Sequence, residues 1–303
     1  MEPTQKPFSL ENTKVLHLEL TTRCNASCPQ CDRVWPDSGY ARDHELTLAN
    51  VQDLFPVEFV QGLDKMFACG TFGDPAAARE CLDIFKWFRE VNPTITLGMN
   101  TNGGLRDVLF WTELGKIMCN PLDYVVFSID GMASTNDIYR KGVMWHRVML
   151  NAETFIASGG RAHWDMLVFQ HNQHHMSYCR DHARKMGFVR FRAKVSSRFA
   201  DRPVKFLNPP KGFEAVTPTG PVQCHAAQER SLYVAATGQI LPCCFIGGEV
   251  FKMTEELRQL VDNPEDLVAS WSTNPHPVCT RNCATHQSKT HFEHQFYEET
   301  AFD

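Results

Sequence analysis

Short apolar segments alternate with stretches of helical periodicity along residues 15–195, and this alternation limits the possible fold more than any other feature. Strands that alternate with helices are typical of a parallel sheet built from βα units. Six such units are fewer than the eight of a closed barrel. We therefore predict an α/β fold with an open, partial (β/α)6 TIM-like barrel. Its predicted strands cover 15–20, 65–69, 94–99, 124–129, 164–169 and 189–195.

The character of the chain changes after the sixth predicted strand. Prolines recur between Pro203 and Pro221, as in a loop-rich connection. Beyond them, the segments on either side of Thr237-Gly238 predict a hairpin, and the rest shows helical patterns with cysteines and histidines. The predicted division is an N-terminal extension over 1–14, the barrel over 15–205, and a small cysteine-rich domain with a helical tail over 206–303.

Charge and composition argue against two classes of partner. The net charge is -5 and no block of Lys or Arg occurs, whereas nucleic-acid binding needs a concentrated basic surface. No apolar run is long enough to span a bilayer, and the N-terminus lacks the pattern of a signal peptide. Twelve cysteines without a secretion signal indicate the cytoplasm, where thiolates bind metals more often than they form disulfides.

Three cysteines in a CxxxCxxC arrangement, Cys24, Cys28 and Cys31, directly follow the first predicted strand. Loops after the strands of such a barrel are where ligands bind. Three thiolates leave one iron of a four-iron cubane open to an exogenous group, and catalytic metal sites keep an open position in this way. The alternative interpretation is a zinc knuckle, or buried cysteines that have this spacing by chance.

This motif and its position resemble the radical S-adenosylmethionine superfamily. The resemblance implies a [4Fe-4S] cluster that binds S-adenosylmethionine. It also implies that an electron from this cluster cleaves the cofactor to a 5'-deoxyadenosyl radical, which abstracts a hydrogen atom from the substrate. An electron donor such as flavodoxin or ferredoxin is the expected protein partner.

Segments after the second, third and fourth predicted strands resemble the cofactor-binding motifs of the same superfamily. The resemblance assigns Gly70, Gly73 and Asp74 to the cofactor's amino group, Asn102 to a turn against the cofactor site, Ser128 and Asp130 to the ribose or substrate, and Arg140 to the cofactor carboxylate. Two alternatives stay open. Asp74 would simply start the next helix, and Arg140 would form a solvent-exposed salt bridge.

A second group of cysteines lies near the C-terminus. Cys224 and Cys243 flank the predicted hairpin with a spacing that resembles the Twitch and SPASM extensions of radical enzymes. The resemblance implies that these two residues, with Cys279 and Cys283, hold one auxiliary [4Fe-4S] cluster in the shorter, Twitch-like form. Cys244 is left as a ligand, a hydrogen-atom donor or a buried neighbour. A structural zinc site is the alternative for the whole group.

Charged residues in the sixth predicted strand bear on the substrate. Alternation places Arg190, Arg192 and Lys194 on one side of the sheet. If they face inward they indicate a polar or anionic ligand, and if they face outward they are solvated.

The four remaining cysteines separate into two kinds. Cys69 ends the second predicted strand and faces the expected pocket. The other three are predicted to be packed thiols: Cys81, Cys119 and Cys179.

These features predict an enzyme that abstracts a hydrogen atom from a polar small molecule and then oxidises, epimerises or joins it, with the auxiliary cluster handling the electron. Asp130, Cys244 and Cys69 are the candidate catalytic residues. The short stretch before the first strand favours a small molecule, because it leaves no room for a peptide-recognition domain. The alternatives are a peptide-modifying maturase and, from other classes, a non-catalytic metal-binding module or a nucleic-acid-modifying enzyme.

Overall fold

A computed structural model describes residues 8–35, 43–199, 201–214, 218–249, 252–286, 289–290 and 296–302. The strands are β1 Val15–Leu18, β2 Lys65–Ala68, β3 Thr96–Thr101, β4 Tyr124–Ser128, β5 Ala162–Val168, β6 Arg190–Val195, β7 Ser231–Val234, β8 Ile240–Leu241, β9 Thr285–His286, β10 Lys289–Thr290 and β11 Phe296–Ala301. The α-helices are α1 Leu48–Leu54, α2 Val57–Gln61, α3 Cys81–Val91, α4 Val108–Ile117, α5 Asn136–Tyr139, α6 Trp145–Ala157, α7 Met176–Met186, α8 His225–Gln228, α9 Cys244–Gly247, α10 Glu255–Asp262, α11 Pro264–Ser270 and α12 Pro277–Cys283.

The main sheet has the strand order β11-β6-β5-β4-β3-β2-β1-β7-β8. Strands β1 to β6 lie side by side in chain order and pair in parallel. At least one helix lies between each of these strands and the next, as parallel pairing requires a crossover connection. The partial (β/α)6 barrel predicted from the alternation is therefore confirmed.

The outer helices cover the sheet with apolar faces. In α3 the predicted face is fully buried: Cys81, Ile84, Phe85 and Phe88. The helix predicted from residue 76 begins instead as the 3-10 turn Pro75–Ala77, and α3 starts only at Cys81. Among the described helices, none combines the length and apolar content that a bilayer span needs.

The chain beyond residue 206 flanks the barrel sheet on both edges. Strand β7 pairs in parallel with β1, and β8 returns antiparallel to β7 after Gly238, which has a φ of +86°. The predicted hairpin is therefore present, and it extends the barrel sheet. Behind it lies a separate apolar core that includes Tyr233, Ile246, Leu257 and Leu267.

The predicted helical tail is only partly helical. Helices α10 to α12 end at Cys283, and the described end of the chain is strand β11, which pairs antiparallel with β6. An open barrel leaves the β6 edge unpaired, and an edge strand accepts another strand readily. Glu299 also pairs with Arg190 at 2.7 Å, and Glu298 pairs with Arg180 at 2.9 Å. Residues 291–295 of the predicted tail lie outside the described residues.

Candidate active site

The loop after β1 carries the first three cysteines at the carboxyl edge of the parallel strands. The Cys24 thiol accepts hydrogen bonds from the Ala26 amide at 3.3 Å and from Asn102 Nδ2 at 3.5 Å. Arg33 fixes the loop by donating to the carbonyls of Cys24 at 2.9 Å and Ala26 at 3.0 Å. Burial raises the pKa of Cys24 to about 12. The loop is thus tied to Asn102, the residue of the motif after β3.

The segment after β4 also contacts the cysteine loop, through Arg140. Arg140 donates a hydrogen bond to the Cys28 thiol, although burial still raises the pKa of Cys28 to about 11. Arg140 Nε also donates to Asp130 at 2.6 Å, and the Asp130 side chain is fully buried. The second Asp130 oxygen accepts from the Leu167 amide at 2.7 Å. Arg140 is therefore not a solvent-exposed salt bridge, and Asp130 positions its guanidinium beside the cysteine loop.

Asp74 lies after β2, as predicted, but its carboxylate already accepts hydrogen bonds from other groups of the protein. It accepts from the Ala76 amide at 3.0 Å, the Asn102 amide at 2.7 Å and the Thr101 hydroxyl at 2.9 Å. Asp74 thus caps the turn that follows β2, as the alternative interpretation expected, and it joins the loops after β2 and β3. Burial raises the pKa of this carboxyl group.

The glycines of the same segment are required for close packing. A Cβ at Gly70 would lie 1.9 Å from the carbonyl oxygen of Gly73. A Cβ at Gly73 would lie 1.8 Å from the carbonyl oxygen of Thr21, at the start of the cysteine loop. Neither position accepts a side chain without backbone movement, so the segment lies directly against the cysteine loop.

Glu19 is a buried functional candidate that the sequence reasoning missed. It follows β1 and is 1% exposed, and its carboxylate accepts from the Phe72 amide at 2.6 Å and the Gly73 amide at 3.3 Å. The Tyr233 hydroxyl also donates to it. A glutamate directly after an apolar strand was the available signal, because buried carboxylates need partners.

A cavity of about 380 Å³ lies between the strand ends of the barrel and the C-terminal segment. We call it the mouth cavity. Its wall includes Arg192 and Lys194 of β6 and Asp165 of β5, so the inward orientation of these two cations is the one observed. Arg190 lies on the same strand but pairs with Glu299 and is absent from the described lining. Ser128 lies opposite Asp165 in the β4–β5 register.

The remaining cysteines differ in whether they line the mouth cavity. Cys69 and Cys244 both line it, and burial raises the pKa of each, to about 11 for Cys69. Cys81 and Cys179 are buried as predicted. Cys119 is exposed, contrary to the prediction, because α4 ends at Ile117 and leaves it beyond the helix.

The C-terminal cysteines share a second, apolar cavity. It is lined by Cys224, Cys243, Cys279 and Cys283, together with side chains such as Trp271. The Cys283 thiol donates to Cys224, which lowers the pKa of Cys224 to about 7 and raises that of Cys283. Cys243 thus belongs to this group, whereas its neighbour Cys244 faces the mouth cavity.

All twelve cysteines are free thiols. Within the described part of the chain, no three His, Cys, Asp or Glu side chains converge as ligands of a single metal ion. A cluster of several irons, in which each thiolate binds its own iron, does not demand such convergence.

Comparison with known proteins gives one sequence relative and several structural ones. No protein-family model matches the chain. A curated protein of Pyrococcus furiosus, described as a tungsten-containing aldehyde ferredoxin oxidoreductase cofactor-modifying protein, is 31% identical over 133 residues. The match covers 43% of this chain and 34% of that protein, so the chain matches about a third of its relative's length.

Solved structures match over most of the chain. SuiB of Streptococcus suis, bound to its precursor peptide SuiA, matches with a TM-score of 0.59 at 14% identity, covering 91% of this chain and 68% of SuiB. Native anSMEcpe with bound AdoMet (S-adenosylmethionine) matches with a TM-score of 0.56 at 14% identity, covering 89% and 88%. The chain therefore has the fold of these solved structures, and its own three clustered cysteines lie on the loop after β1.

Proposed function

We propose that the chain is a radical S-adenosylmethionine enzyme that acts on a polar small molecule bound in the mouth cavity. The observation that carries the proposal is the convergence of two other loops on the cysteines of the first. Asn102, after β3, contacts Cys24, and Arg140, after β4, contacts Cys28. Three thiols on one loop suit a [4Fe-4S] cluster with one open iron. When bound, this cluster would supply the electron that cleaves S-adenosylmethionine to a 5'-deoxyadenosyl radical.

The protein's own residues would hold and shield the cofactor. The backbone of Gly70–Gly73 lies against the cysteine loop, where its polar groups would meet the cofactor's amino group. Arg140, fixed by Asp130, is the cation for the cofactor carboxylate. The Asp74 carboxylate would act indirectly, because its hydrogen bonds hold the loops after β2 and β3 together.

The four cysteines of the apolar cavity would hold an auxiliary [4Fe-4S] cluster that handles the electron. Four thiols facing one cavity suit a fully ligated cluster, and a ferredoxin or flavodoxin would supply electrons. The volume of the mouth cavity, about 380 Å³, lies within the range of small-molecule sites. The curated relative's name also indicates a small-molecule target, a cofactor. A peptide substrate is the second candidate, because SuiB, which shares the fold, is bound to a precursor peptide.

The test is cluster content and cofactor cleavage in protein purified without oxygen. The wild type should contain about eight irons with matching sulfide, and a Cys24/Cys28/Cys31→Ala variant about four. Reduction with dithionite should yield 5'-deoxyadenosine only from proteins that keep these three cysteines. Cys119→Ala, an exposed thiol outside both groups, is the matched control. Zinc in place of iron, or no cleavage by the wild type, would favour the non-catalytic metal-binding module.

Substrate size is tested separately. A cell extract is divided by filtration into small molecules and larger peptides, and each fraction is added to the reduced enzyme. Stimulation of 5'-deoxyadenosine formation by the small-molecule fraction supports the proposal, whereas stimulation by the peptide fraction alone supports the maturase.

A further inference from the structure

One buried carboxylate on the wall of the mouth cavity is shared by two cations. Asp165 accepts from Arg192 Nε at 2.7 Å, from Arg192 Nη2 at 2.8 Å and from Lys194 Nζ at 3.2 Å. Its side chain is only 5% exposed. Burial acts to raise the pKa of Asp165, but the charges of Lys194 and Arg192 hold that pKa below its usual value. Lys194 thus shares with Arg192 a carboxylate that the guanidinium already contacts through two nitrogens.

A second group of residues that line the same cavity repeats this arrangement. Asp32 pairs with Arg198 at 2.9 Å and also with Arg202. Both arginines donate to the Gln30 carbonyl as well, which holds them in place. Here too a single carboxylate pairs with two cationic side chains.

The described wall carries further charged and titratable side chains. Arg281 and Asp201 form a one-to-one pair at 3.0 Å. His17 is neutral near pH 7, because burial lowers its pKa to about 4. By formal charge, the described wall therefore carries five Lys and Arg side chains and four Asp and Glu side chains, Glu249 among them. The described wall is thus net positive by one formal charge, and a net positive site favours an anionic ligand.

From this geometry we infer that Arg192 and Lys194 bind an anionic group of the substrate, a carboxylate or a phosphate, and the inference rests on the function proposed above. The Lys194 side chain lines the cavity and is 27% exposed, and among the described residues its ammonium donates only to Asp165. The predicted partner of the cofactor carboxylate, Arg140, is not among the described lining residues. The anionic group bound here is therefore distinct from the carboxylate of the cofactor.

Anion binding is measured on the cluster-loaded protein with saturating S-adenosylmethionine, without turnover. The thermal midpoint is followed against increasing inorganic phosphate and, separately, acetate, with sodium chloride keeping the ionic strength constant. The wild type should show a saturable rise with at least one of these anions, and the stronger of the two identifies the group recognised. No saturable rise with either anion would overturn the inference.

Variants locate the effect. Lys194→Met should weaken the apparent anion affinity at least about tenfold, as expected for losing a charge-assisted hydrogen bond. Lys194→Arg should retain it. Arg190→Gln is the matched control, since Arg190 lies on the same strand but pairs with Glu299 away from the cavity. Equal anion affinity in all four proteins would contradict the inference, and so would a tenfold loss of S-adenosylmethionine affinity in Lys194→Met, which would assign Lys194 to the cofactor.

The two proposals fail separately. The anion titration does not depend on cofactor cleavage, whereas the proposed function fails if the reduced wild type forms no 5'-deoxyadenosine.

Discussion

The Tyr233 hydroxyl donates a hydrogen bond to the buried Glu19 carboxylate, and the two residues are separated by 214 positions in the sequence. Glu19 follows the first barrel strand and also binds the amides of Phe72 and Gly73. Tyr233 belongs to β7, which lies between Cys224 and Cys243 in the segment that carries the C-terminal cysteines. One buried contact therefore connects the glycine-rich segment of the predicted cofactor site to the C-terminal part of the chain.

Tyr233→Phe should lower the free energy of unfolding by about 1–3 kcal/mol, because Glu19 keeps its burial but loses one of its donors. Denaturant unfolding of the cluster-loaded protein under anaerobic conditions measures the change. The control is Tyr178→Phe, whose side chain is 60% exposed and should change stability by less than about 0.5 kcal/mol. Equal losses in the two variants would contradict the importance of the Glu19 contact.

Gly73→Ala should destabilise the protein by several kcal/mol and weaken binding of S-adenosylmethionine. The new Cβ would overlap the Thr21 carbonyl oxygen, a backbone atom that moves only with the cysteine loop. Equilibrium binding of the cofactor and thermal unfolding measure the two effects. Gly62→Ala is the comparison, since its nearest contact would be an ordinary 3.4 Å. A Gly73→Ala protein that behaves like Gly62→Ala would show that this close approach is absent.

Cys243→Ala and Cys244→Ala should have different iron contents. Cys243 lines the cavity shared with the three other C-terminal cysteines, so its removal should cost up to about four irons per chain. Cys244 faces the mouth cavity, so Cys244→Ala should keep the full content. Iron and sulfide assays on both variants decide the matter, and the reverse pattern would make Cys244 the ligand.

The free energy of unfolding should fall as the pH is lowered from 7 toward 5, partly through His17. Its pKa is about 4 when folded against 6.5 for the free side chain, so the unfolded chain binds the extra proton in this range. Near pH 5 this single group contributes a slope of about 1.2 kcal/mol per pH unit.

His17→Gln, which keeps a donor for the Cys69 carbonyl at 2.8 Å, should remove that part of the slope. The exposed His146→Gln should leave it in place. Unfolding curves at several pH values between 5 and 7.5 measure the difference, and parallel pH profiles for all three proteins would rule out His17 as a source.

The sequence by itself determined the barrel and the location of its ligand edge. Apolar periodicity is a local property, so each βα unit, such as the strand before Cys69 and the helix face of Ile84 and Phe85, was recognisable without knowledge of its neighbours. The cysteine loop followed the first strand, and strand ends in parallel sheets share one edge. This placed the loop of Cys24 at the ligand edge, and the resemblance to the radical S-adenosylmethionine superfamily added Asn102 and Arg140 to the same site before any contact was known.

The tertiary structure decided what depends on a distant partner. The final segment became strand β11 because the β6 edge was open to it, and β7 joined the barrel sheet at β1. Only the folded chain shows that Asp74 is occupied by its own loops while Glu19 binds Tyr233. Cys243 and Cys244 are adjacent in the sequence, but their side chains line different cavities. Sequence spacing could not distinguish the two residues, because the difference depends on how the surrounding chain packs.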